Sequence, residues 1–76
     1  MLTINLYTTS NCHLCELAEA LLNQFAIPLN VVPIEIVNND TLLTQYGSHI
    51  PVLQRQDNLL ELHWPFSLHE LEVFLA

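Results

Sequence analysis

A chain of 76 residues has room for one domain, and a globule of that size buries only ~60% of the surface its unfolded form exposes. Hydrophobic residues make up 51% and charged residues 12%, which excludes an acidic disordered tail. One Arg against eight acids gives a formal charge of −7, so the cations that neutralise phosphate are missing, and neither nucleic acid nor membrane is an expected partner.

In the first segment Leu2, Ile4 and Leu6 alternate with Thr3, Asn5 and Tyr7, the period-two pattern of a strand. Thr8 to Asn11 form a polar turn. Leu14, Leu17, Ala18, Leu21, Leu22 and Phe25 then recur at helical spacing and predict one buried helix face, which Pro28 ends. Ser10 or Asn11 is the expected cap, since a short polar side chain accepts from an unpaired first-turn N–H.

Leu29 to Val37 is rich in β-branched residues and predicts a second strand, placed at a sheet edge because Pro33 removes a ladder donor. Asn38, Asn39 and Asp40 offer caps for a short helix from Thr41 to about Tyr46. Gly47, the only glycine, is expected to stop it with a positive φ. Ile50-Pro51-Val52-Leu53 opens a third strand, and Asn58 to Leu62 returns as a fourth after the turn Gln56-Asp57-Asn58. Ser67 and Glu70 stand at capping-box spacing, with Phe66 and Leu71 as a hydrophobic staple, so a last helix starts at Leu68. Its expected apolar face is Leu68, Leu71, Phe74 and Leu75. Trp64 is expected to pack on Phe66 and this helix.

The order is βαβαββα in one α/β domain spanning residues 1–76. A right-handed β-helix-β crossover makes strands one and two parallel. The hairpin extends the mixed four-stranded sheet on the other side of strand one, and the short second helix covers the face carrying Thr3 and Asn5.

Cys12 and Cys15 are the whole cysteine inventory, too few for a secreted disulfide scaffold. A bridge closing four residues contributes only roughly 2 kcal/mol of chain entropy, so a redox role in the reducing cytoplasm is expected rather than a structural one. The pair follows a strand and opens a helix. Free N–H groups and the positive helix end there stabilise a thiolate, which makes Cys12 the nucleophile and Cys15, one turn deeper, the resolving thiol. His13 as an imidazolium favours the thiolate, and Glu16 opposes it. His49, beside Ile50-Pro51, is the next imidazole of interest. A zinc module built from Cys12, Cys15 and two of His13, His49 and His63 is an alternative.

The segment YTTSNCHLCELAEALL, the element order and the later HIPVL resemble the glutaredoxin-like branch of the thioredoxin superfamily, in particular small bacterial glutaredoxin-like proteins. The resemblance implies a thioredoxin-like, glutaredoxin-type three-layer sandwich and thiol-disulfide oxidoreductase activity on a protein or small-molecule disulfide. It also implies that Pro51 is cis and faces the cysteines, with the backbone of Ile50 pairing with the substrate chain. With His13, these two form the expected substrate-binding set. Glutathione-using glutaredoxins carry a Lys before the first Cys, a Thr-Val-Pro, and a Gly-Gly with an Asp before the last helix. Here those stretches read Thr8-Thr9-Ser10-Asn11, His49-Ile50-Pro51 and His63-Trp64-Pro65-Phe66-Ser67. Strong dependence on glutathione is therefore not expected, and no cofactor beyond the cysteine pair is implied. A monomer is expected. An interaction module of the same fold without turnover, its acidic surface meeting a basic protein partner, is the other reading.

Overall fold

The computed structural model describes residues 1–76, with β1 at Leu2–Thr8, α1 at His13–Leu22, β2 at Leu29–Glu35, α2 at Asp40–Tyr46, β3 at Val52–Arg55, β4 at Glu61–His63 and α3 at Leu68–Leu75. The strands form one sheet in the order β2-β1-β3-β4. β1 and β2 are parallel, from Leu2↔Leu29 to Thr8↔Glu35. β3 runs antiparallel to β1, with Leu6↔Leu53 and Tyr7↔Val52, and β4 antiparallel to β3, with Val52↔His63. Pro33 lies in β2, an edge strand, where its missing N–H interrupts no outer ladder.

Side chains alternate across β1 and so build two cores. Ile4 and Leu6 face α1 and α3, packing with Leu53, Ala18, Leu22, Phe66, Leu71 and Leu75. Tyr7 faces the other way and packs with Val52, Ile36 and Tyr46 under α2. The result is three layers, helices over both faces of the sheet. Hydrophobic burial drives this arrangement. Trp64 packs edge-on against Phe66 at 5.0 Å between ring centroids.

Several local expectations shift. Asn11 adopts a left-handed φ of 61°, a conformation Asn tolerates, and this turn brings Cys12 to the cap of α1 in place of Ser10 or Asn11. The helix stops at Leu22, well before Pro28, because Gln24 and Phe25 bond back to the carbonyls of Leu21 and Leu22 in tighter turns. Its buried residues are Cys15, Ala18 and Leu22, while Leu14 and Leu17 are exposed. Leu68, expected inside, is exposed too.

Asn39 caps α2, its Oδ1 accepting from the Leu42 N–H at 3.0 Å. Gly47 follows with φ −51°, still right-handed. Its lack of a side chain matters through close approach instead, since a Cβ there would collide with the Leu43 carbonyl. β4 begins at Glu61, later than expected, because Leu59 takes a φ of 63° and its N–H bonds back to the Arg55 carbonyl.

The one basic residue is committed to structure. Arg55 pairs with Asp57 through two hydrogen bonds, and its Nη1 donates to the carbonyls of Phe74 and Ala76 at 2.8 Å. It thereby neutralises the negative end of α3. The ion pair holds the Asp57 carboxyl below its ordinary range.

Candidate functional site

β1 ends at Thr8, and the next four residues carry the chain to the first turn of α1. Cys12 itself is the cap, extended at φ −90° and ψ 101°, and its Sγ accepts from the Cys15 N–H at 3.2 Å. The N–H groups of His13 and Leu14 have no partner in the chain. One sulfur therefore sits over the open donors and the positive end of the helix, the surroundings that favour a thiolate.

Cys12 and Cys15 form a disulfide with a Cα–Cα separation of 5.2 Å. Cys12 is half-buried, whereas Cys15 is 3% exposed and packs inward. An attacking partner can reach only the first sulfur. Glu35, at the end of β2, accepts from the Val37 N–H at 3.2 Å, and hydrogen bonding, from Thr9 first and then from that N–H, holds its carboxyl below the ordinary range.

Because β3 is antiparallel to β1 and Tyr7 pairs with Val52, Ile50 and Pro51 lie at the same end of the sheet as the segment leading to Cys12. The Ile50–Pro51 peptide is cis. Pro51 is fully buried, and its carbonyl accepts from the Trp64 N–H at 3.2 Å. The N–H and C=O of Ile50 have no partner within the chain, which leaves one donor and one acceptor at this end of the sheet.

The glutaredoxin-like domain (DUF836) family matches residues 3–76. This chain belongs to that family. The crystal structure of the structural-genomics target XcR50 from X. campestris is 33% identical, covering 95% of this chain and 93% of that one, with a TM-score of 0.83. The solution structure of Ne2328 from Nitrosomonas europaea is 28% identical, covering 99% and 92%, with a TM-score of 0.77. Among curated proteins there is no match.

The remaining residues of interest in this glutaredoxin-like domain fall into two places. His13 is 80% exposed, with Nδ1 3.8 Å from the Glu16 carboxylate. His63 lies on β4, its Nε2 2.9 Å from Glu61, and its ring is 6.0 Å from that of His49. Two cysteines and two histidines do not gather here, since no three His, Cys, Asp or Glu side chains converge as a metal site would require.

Sequence reasoning missed a polar network under α2. Tyr7 and Tyr46 stack at 4.3 Å. The Tyr7 hydroxyl donates to Gln54 at 2.9 Å, and Asn5 donates to the same oxygen at 3.2 Å. The Tyr46 hydroxyl donates to Glu61, which also contacts His63. Burial, then the bond to Glu61, pushes the Tyr46 hydroxyl well above its ordinary pKa. Burial alone would raise Glu61, but the bonds from Tyr46 and His63 outweigh it and its pKa falls. No buried side-chain nitrogen or oxygen is left unpartnered, so the network is a fully satisfied brace. Only the alternation of Asn5 and Tyr7 hinted at it, because the other members come from separate elements.

Proposed function

We propose that this domain is a thiol-disulfide oxidoreductase working through the Cys12/Cys15 couple. The observation that carries the reading is the Cys15 N–H on the Cys12 sulfur at 3.2 Å, beside two unpartnered first-turn amides. In the reduced protein these donors stabilise the Cys12 thiolate. It attacks one sulfur of a substrate disulfide, forming a mixed disulfide and expelling the other sulfur as a thiolate that takes a proton from water. The Cys15 thiol then loses its proton and attacks Cys12, so the second substrate thiol leaves and the Cys12–Cys15 disulfide forms. Two electrons pass to the substrate, and an external thiol or dithiol restores the protein.

The free N–H and C=O of Ile50 support pairing with an extended substrate segment, in the manner of an added strand, with Pro51 fixing their direction. His13 lies one residue from the nucleophile, and its exposed imidazole is placed to meet a bound substrate. No cation stands ready for the carboxylates of glutathione, since Arg55 is bound to Asp57 and α3 and the net charge is −7. We therefore expect restoration by dithiols to exceed that by glutathione. A monomer acting in the cytoplasm fits this chemistry.

Turnover of a small disulfide with a dithiol donor tests the proposal. Wild type should be active and Cys12→Ser inactive. Cys15→Ser should accumulate a mixed disulfide on Cys12, visible as added mass. Equal turnover by wild type and Cys12→Ser would refute it.

A further inference from the structure

Asn11 differs in backbone from every other residue between β1 and α1. Its φ is 61°, in the left-handed region where the Cβ of an L-residue crowds the following carbonyl. Only Leu59 shares a positive φ in this chain. Leu59 lies in the turn between β3 and β4, and because β3 starts at the cysteine end of the sheet, that turn closes the opposite end.

Nothing in the surroundings of Asn11 accounts for its conformation. Its side chain is exposed and belongs to neither core, and its backbone N–H and C=O bond to nothing within the chain. What the conformation does accomplish is at the next residue. Cys12 is extended at φ −90° and ψ 101°, its Sγ accepts from the Cys15 N–H at 3.2 Å, and its carbonyl accepts from the Glu16 N–H at 3.2 Å. With β1 held in the sheet and α1 packed on it, any change at Asn11 must be taken up by neighbouring torsions, and those of Cys12 are next in the chain. Leaving the left-handed corner therefore turns the sulfur off the first-turn amides.

Resting on the oxidoreductase reading and deepening it, we infer that Asn11 is a positioning residue for the nucleophile: its left-handed backbone holds the Cys12 sulfur on the open end of α1, and residues that resist that conformation disarm it. Asn and Gly adopt the conformation readily, Ala less so, and a β-branched residue worst. That order is a signature, because a role for the Asn11 amide group would make Gly and Ala equally poor.

The test is the pH profile of Cys12 alkylation by iodoacetamide in the reduced full-length protein, with Cys15→Ser in every sample. Mixed-disulfide formation with bis(2-hydroxyethyl) disulfide is timed alongside. Asn11→Gly should match the parent. Asn11→Val should raise the Cys12 pKa by ~1 or more, which slows alkylation ~10-fold at a pH below both values, and Asn11→Ala should fall between. Leu59→Val meets the same conformational penalty at the far end of the sheet, so it should lower the Tm and leave the profile unchanged.

Equal profiles for the Gly, Ala and Val variants, a Gly variant as impaired as Ala, or an equal shift from Leu59→Val would overturn the inference, while mixed-disulfide formation by the parent leaves the oxidoreductase reading standing. If Asn11→Val does not fold, the comparison of Ala with Gly decides. A parent that forms no mixed disulfide on Cys12 would overturn both.

Discussion

The hydroxyl of Tyr46, at the end of α2, donates to the carboxylate of Glu61 at the start of β4, joining two elements 15 residues apart across one face of the sheet. This bond and the Tyr7 stack hold α2 over the sheet at the end where Ile50 and Pro51 lie. Tyr46→Phe should leave the stack intact but remove a charge-assisted bond, lowering stability by roughly 1–3 kcal/mol in urea unfolding. The pH dependence has a definite sign. Folding raises the Tyr46 pKa above its ordinary 10, so its contribution is complete below pH 10 and is lost as pH rises toward the folded value. Folding lowers the Glu61 pKa from 4.5, so that contribution is present above pH 4.5 and is lost as pH falls through the folded value. Tyr46→Phe should therefore flatten both the alkaline and the acid losses in a pH series of unfolding curves.

Arg55 offers a second test. It binds Asp57 and also the carbonyls of Phe74 and Ala76. Arg55→Met should lower the Tm and loosen the last turn of α3, measured by circular dichroism and amide exchange. Arg55→Lys should recover only part of the loss, because an ammonium lacks the planar fork that reaches the carboxylate and both carbonyls together.

The two helix caps differ in chemistry, and their substitutions should separate. Ser67 and Glu70 form a reciprocal capping box on α3. Ser67→Ala should cost about 1 kcal/mol in both redox states. At α1 the cap is the sulfur of Cys12. In chemically reduced samples, Cys12→Ala should be less stable than Cys12→Ser by a few tenths to ~1 kcal/mol, since the hydroxyl can still accept from Cys15.

These comparisons also mark what the sequence could disclose. The capping box, the edge position of Pro33 and the order of elements follow from spacing and local propensity, and the structure has them. The Cys-x-x-Cys motif was legible because two residues of distinctive chemistry fall at a strand-helix junction. The true cap was not, since it depends on the left-handed turn at Asn11, which few local rules anticipate. Nor was the orientation of α1. Leu14 and Leu17 fit a helical apolar pattern as well as Cys15 does, and only packing against the sheet decides which side turns inward. Tyr7, Tyr46, Gln54 and Glu61 meet through long-range topology, so no sequence window contains their network.

The claim on which the mechanism turns is that the Cys12 sulfur, placed on open helix amides, ionises near or below neutrality. The most direct measurement is the rate of Cys12 alkylation in the reduced protein as a function of pH, with Cys15 replaced by Ser to isolate it. The account predicts a pKa between ~3.5 and ~7.5. A value at or above the ~8.5 of a free cysteine would contradict it.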